Sequence, residues 1–129
     1  MNTIPVSKAR LWTGRILSGL IGLLMLVTAA TQITLAGDVA AQSARYGYLA
    51  DDLRLLGVAL ALTAILYVVP GTQVLGAILL TGYFGGAIGT HVSHQEPFVP
   101  ALVMGVLVWV SLWLRDPRIH DFARMRVRV

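Results

Sequence analysis

The stretch Leu79–Pro97, LLTGYFGGAIGTHVSHQEP, decides how the whole chain is read. Gly82, Gly85, Gly86 and Gly89 interrupt an apolar run that closes with His91, His94, Glu96 and Pro97. It is either a catalytic or metal-binding loop, or a membrane helix pared down for packing with a polar end where it leaves the lipid. The spacing favours the helix. Gly82 and Gly86 lie four apart, as do Gly85 and Gly89, and Thr81 and Ala77 extend the second row. In lipid, small residues at this interval let two backbones approach closely. The simplest expectation is a packing groove for another helix of the same chain. The alternative is a groove that admits a flat lipophilic ligand, such as a quinone ring or a sterol-like molecule.

The surroundings agree with a bilayer. The chain has 129 residues, of which 57% are hydrophobic and only 12% charged, too apolar for an ordinary soluble domain of this length. The charges cluster at the two ends, so the high isoelectric point does not signal nucleic-acid binding. Without cysteine the chain offers no disulfide and no thiol redox centre, and electron transfer would need a bound cofactor or a partner subunit.

A helix needs about 20 residues to cross a hydrocarbon core. Working outward from Leu79, four segments reach or approach that length, at about 16–36, 53–69, 74–91 and 98–114. The expected fold is therefore all-α, a four-transmembrane-helix bundle in one membrane domain spanning 1–129. The first apolar run exceeds the roughly 7–15 residues of a secretory h-region, which predicts a retained helix. Pro70 and Gly71 suit a tight turn between the second and third spans, with Thr72 capping the third.

Charge sets the expected orientation. Lys8, Arg10 and Arg15 precede the first span. The basic tail, 115–129, carries Arg115, Arg118, Arg124, Arg126 and Arg128 against Asp116 and Asp121. The connections on the opposite side hold Asp38, Arg45, Asp51, Asp52, Arg54 and Glu96 and are net acidic. The positive-inside rule then places both termini in the cytoplasm of a bacterial inner (cell) membrane, with the chain passing through several times. After Asp116 and Pro117 a short helix is expected with Ile119, Phe122 and Ala123 on one side. It reads as a membrane-surface helix gripping anionic lipid or as a topology anchor.

Polar residues inside the spans are the candidates for chemistry. His91 ends the glycine face after Thr90, and imidazole changes charge near neutral pH, so His91 is placed to pass a proton between a lipid-borne substrate and water. Tyr83 falls on nearly the same side and extends such a path. Gln32, with Thr28 and Thr31, forms a polar patch that either joins His91 or meets headgroups. The competing reading makes His91 an interfacial residue bonded to a carbonyl. Glu96 and Asp51 or Asp52 are further acid-base candidates. His91, His94 and Glu96 make a poor zinc or iron site, because Glu96 lies in a turn before Pro97 and no fourth ligand is near. A bis-histidine haem fares no better, since His120 belongs to the opposite side. No metal is expected. Trp12, Trp109 and Trp113 fit an aromatic belt.

The runs LGAILLTGYFGGAIGTH and LWLRDPR, within Leu56–Ile119, resemble the DoxX-like family of small bacterial membrane proteins. The resemblance implies a four-helix membrane bundle and a link to membrane redox chemistry, its founding members looking like small subunits of a thiosulfate:quinone oxidoreductase. The matching positions are Gly82, Tyr83, Gly85, Gly86, Thr90 and His91, the pair Glu96 and Pro97, and Arg115, Asp116 and Pro117. Two departures stand out. Ser93 and His94 occupy places where relatives often carry a basic residue, and TAATQIT ends the first span where relatives often carry a charged or glycine-rich patch.

Three functions compete. One is an accessory or anchor subunit in quinone-linked membrane redox metabolism, with the groove formed by Gly82, Gly85, Gly86, Gly89, Thr90 and Gln32 near the quinone head. Another is a membrane isomerase or epoxide-opening enzyme acting by proton transfer on a lipophilic substrate. The third is a non-catalytic assembly or structural protein. Expected partners are membrane lipid, a lipophilic small molecule, a redox partner subunit or a second copy of the chain.

Overall fold

The computed structural model describes residues 7–125, with side chains as far as Phe122; Ala123, Arg124, Arg126 and Arg128 of the basic tail fall outside the described side chains. Six helices follow in order: α1 (Lys8–Thr34), α2 (Val39–Ala44), α3 (Ala50–Val68), α4 (Gln73–Ser93), α5 (Val99–Arg115) and α6 (Pro117–Met125), and no strand occurs among the described residues. The four long helices match the four expected segments. α1 starts eight residues before the expected Ile16, where the Ser7 side chain accepts a bond from Arg10 N at 3.3 Å. The six residues of α2, inside the long connection, were not anticipated: no periodic pattern marks so short a piece.

The backbones of α1, α3, α4 and α5 close into a ring, α1–α3–α4–α5–α1, and across its diagonals contact is made only through side chains. Neighbours run antiparallel, because Gly14 near the start of α1 abuts Leu114 and Arg115, and Gly57 near the start of α3 abuts Ala29, Gln32 and Ile33. Arg10 of α1 reaches the Trp113 carbonyl at 3.3 Å and lies over the Trp113 ring, so the beginning of the first long helix and the end of the last share one end of the bundle.

Here the glycine expectation is corrected. A side chain added at Gly82, Gly85, Gly86 or Gly89 would meet nothing, so these glycines do not pack against another helix of the chain. The close approaches occur at Gly14, Gly22, Gly57 and Gly76; an added Cβ at Gly76 would run into the Tyr67 backbone, and one at Gly22 into the Val68 side chain. The reason is position on the helix. Gly76 shares α4's inward face with the buried Ala77, Leu80 and Phe84, whereas the later glycines look to either side of it.

The core is built from Ile21, Met25, Ala29, Leu60, Ala64, Tyr67, Ala77, Leu80, Phe84, Val108 and Leu112. Its small members allow the close packing that lipid demands. At its centre the fully buried Tyr67 hydroxyl donates to Val108 O at 3.0 Å and contacts the Ser111 hydroxyl, so the buried polar group is satisfied. Outside, Leu20, Leu23, Leu24, Val27, Leu62, Ile65, Ile78 and Val106 stand exposed, an apolar exterior far larger than a water-soluble monomer carries.

Two helices, α1 and α4, are long and apolar enough to cross a membrane by themselves. α5 has 17 residues, and the first turns of α3 carry Asp51, Asp52 and Arg54. Thr72 precedes α4 but its hydroxyl donates back to Leu66 O at 2.8 Å, tying the turn to α3 instead of capping α4. Asp116 does end α5 and start α6: its Oδ1 accepts from Arg118 N at 2.9 Å. Ile119 of α6 turns in against the core, while Phe122 is exposed.

A polar cavity between α1, α3 and α4

At the end of the bundle away from Arg10, α2 and the residues after it fold over the gap between α1, α3 and α4. They cover a cavity of about 280 Å³. Gly82 and Gly86 leave its α4 wall bare, and Leu53 and Leu56 of α3 face it from the side. Gln32, Tyr83, Thr90 and His91 supply most of its polar groups. Residues 51 positions apart in sequence meet here: Gln32 Nε2 donates to the Tyr83 hydroxyl at 2.9 Å. Thr90 Oγ1 donates to Gly86 O at 3.0 Å and lies 3.1 Å from the Tyr48 hydroxyl, which donates to it.

His91 lies at the rim, with Nδ1 3.5 Å from Glu96 Oε2. That carboxylate also accepts a hydrogen bond from the Tyr46 hydroxyl. The Tyr46 bond, and after it His91, hold the Glu96 carboxyl below the ordinary carboxylate range, and the same bond pushes the Tyr46 phenol up. Tyr46 meets the His91 and His94 rings edge-on at 5.8 and 5.0 Å.

Gln32 Oε1 and His91 Nδ1 are buried and have no hydrogen-bond partner among the described residues. A buried polar atom left unpaired costs about 1–3 kcal/mol, so a ligand hydroxyl donating to Gln32 Oε1 would recover that cost. Tyr83 already accepts from Gln32, which leaves its own O–H free to donate. The cavity thus offers an acceptor, a donor and an imidazole beside a carboxylate.

Not every candidate joins it. Gly85 faces away, into an apolar hollow of about 580 Å³ between α4 and α5 that is also lined by Phe84, Ile88 and Gly105. That hollow is the larger, but its one hydroxyl, on Thr81, donates to Ala77 O and accepts from Trp109 Nε1, both at 2.7 Å, and is thereby satisfied. Gly89 lines neither space. Asp51, with its side chain 93% exposed, pairs with Arg54 at 3.1 Å, and Asp52 accepts from Leu49 N at 3.1 Å to start α3. Neither lines the cavity. Thr28 and Thr31 bond to carbonyls of their own helix at 2.9 and 2.7 Å. No three His, Asp or Glu side chains gather as a metal site would require among the described residues. Tyr46, Tyr48 and Ser43 were missed, because tyrosines in a connection signal only a headgroup position until the chain is seen folding back.

An all-helical bundle with an apolar exterior and a polar cavity beneath a surface loop defines a helical membrane protein. The chain belongs to the DoxX-like family, whose model matches residues 16–114. The match takes in Gln32 of α1, which the resemblance over Leu56–Ile119 did not reach, and stops short of Arg115, Asp116 and Pro117. No curated protein and no solved structure matches the chain.

Proposed function

We propose that this DoxX-like protein is an accessory or anchor subunit in quinone-linked membrane redox metabolism, with the quinone head in the cavity between α1, α3 and α4. The observation that carries the reading is the convergence of Gln32, Tyr83, Thr90 and His91 on one space floored by Gly82 and Gly86. A flat ring needs a bare wall; a quinone carbonyl accepts, as from the Tyr83 O–H, and a hydroquinone hydroxyl also donates, as to Gln32 Oε1. When a redox partner subunit takes the two electrons of a hydroquinone, two protons are released, for which the His91–Glu96 pair is the exit.

In this reading α1, α3, α4 and α5 all cross a cell membrane, both termini lie in the cytoplasm, and the cavity opens on the far side. The arginine-rich ends and the net acidic opposite connections support that orientation. The shorter α3 and α5 reach across by local thinning of the bilayer.

The test is binding of decylubiquinone to the full chain in nanodiscs, together with identification of whatever co-purifies in mild detergent. Saturable binding, weakened about tenfold or more in Tyr83→Phe and His91→Ala, is expected. Absence of both quinone binding and a co-purifying redox protein sinks the proposal. A reporter fused after Val129 that proves periplasmic sinks the orientation.

One observation favours a second reading. The His91 imidazole beside a carboxylate itself oriented by Tyr46 is an acid-base arrangement, suited to a membrane isomerase or epoxide-opening enzyme. Turnover of a lipophilic substrate that vanishes in a folded His91→Ala variant would favour it over the subunit role.

A further inference from the structure

The opposite end of the bundle holds a second polar cavity, of about 410 Å³, within the usual range of small-ligand pockets of roughly 300–1,000 Å³. Arg15 of α1, Arg115 at the end of α5, the buried Ser18 and Gln73 at the start of α4 line it, and no Asp or Glu does. The two arginines are brought to one space by a close helix approach, since Gly14 abuts the Arg115 backbone.

We infer that this cavity binds a phosphate-type anion between the Arg15 and Arg115 guanidiniums. The other two arginines described at this end, Arg10 and Arg118, are already engaged. Arg10 lies over Trp113 and reaches His120. Arg118 pairs with Asp116 at 2.8 Å, consuming the nearest carboxylate, which Gln73 also reaches. Arg115 gives one terminal nitrogen to the Tyr67 carbonyl, but its Nε is buried and without a partner among the described residues. Arg15 is exposed and, among the described residues, makes only a distant contact, 5.5 Å, with the Trp12 ring.

Two guanidiniums without a carboxylate between them are a costly arrangement unless an anion joins them, and guanidinium forks match phosphate oxygens two at a time. The Ser18 hydroxyl adds a donor, and its one described partner, the Tyr67 hydroxyl, is 3.5 Å away. Val68, Pro70 and Gly19 complete the wall, and Leu20 beside them is exposed on the apolar exterior. A phosphodiester headgroup whose chains continue along that exterior fits this shape, and free orthophosphate shares the same recognition chemistry.

The experiment uses the full chain in nanodiscs, with phosphatidylglycerol retention read by native mass spectrometry against phosphatidylcholine, and orthophosphate binding read by calorimetry. Arg15→Gln keeps the exposed position polar and leaves the fold intact. It should lower the preference for the anionic probe about tenfold, the effect of one charge-assisted contact. Arg54→Gln, at the far end, should leave it unchanged. Loss of phosphatidylglycerol retention identifies a lipid headgroup, and loss of orthophosphate binding alone identifies a free anion. Equal retention of both lipids, or anion binding indifferent to Arg15→Gln and to Arg15→Gln/Arg115→Gln, overturns the site.

Discussion

Gln32 of α1 donates to the Tyr83 hydroxyl of α4 at 2.9 Å, although the backbones of these two helices do not touch. The bond spans a diagonal of the helix ring at the level of the cavity, where the glycines of α4 leave room. It ties the ring together at the point where a ligand would otherwise spread it. Tyr83→Phe should therefore destabilise the bundle by only about 1–2 kcal/mol, the loss of one bond and a stranded amide, measured by thermal unfolding in detergent. A larger loss would mean that the diagonal bond is a major support of the fold.

The glycines divide into two classes with opposite expectations. Gly76→Ala should cost about 2 kcal/mol or more, because the methyl enters the Tyr67 backbone, which cannot step aside. Gly82→Ala meets empty space and should be neutral or stabilise the helix by up to about 1 kcal/mol. Gly82→Leu should leave the bundle folded yet abolish quinone binding by filling the cavity. Equal stability of Gly76→Ala and Gly82→Ala would contradict the packing described.

Glu96 makes the α2 cover sensitive to acid. Its folded-state pKa is depressed below the ordinary 4.5, first by the Tyr46 hydroxyl and then by His91. The stabilisation is therefore complete above that ordinary value and disappears as pH falls through the depressed one. Tyr46→Phe should bring the Glu96 carboxyl closer to its ordinary pKa, read by NMR of the labelled carboxyl carbon. It should also make hydrogen exchange across Val39–Gly47 less dependent on acid. An unchanged Glu96 titration would refute the coupling.

Asp116 joins three elements, accepting from the Arg118 backbone at 2.9 Å, from the Arg118 side chain and from Gln73 of α4. Burial pushes its carboxyl up, but the Arg118 and Gln73 bonds outweigh burial and hold it below the usual range. Its contribution is accordingly present at neutral pH and lost as pH falls through the lowered value. Asp116→Ala should cost roughly 1–3 kcal/mol and speed hydrogen exchange in α6, since both the cap and the Gln73 partner go. Arg118→Gln, at an exposed side chain, should cost less, about 1 kcal/mol or below.

The sequence by itself determined the helical class, the places of the four long helices, the break at Asp116 and the membrane character of the exterior. Each follows from local chemistry: apolar runs of sufficient length, a proline after an aspartate, and a turn built on Pro70 and Gly71. His91, Thr90, Tyr83 and Gln32 could be named as candidates because polar groups in an apolar run are rare and therefore conspicuous.

Only the tertiary structure decided which of them meet. Periodicity places a residue on a face, but not opposite anything. That Gln32 faces Tyr83, that Tyr46 and Tyr48 fold over the gap, and that Asp51 turns away toward Arg54 depend on the angles at which helices pack and on the path of a connection without a pattern. The glycines show the same limit. Gly76 and Gly82 are alike on paper, yet one admits a neighbouring backbone and the other borders a void, because six residues of a 3.6-residue helix turn them to different sides.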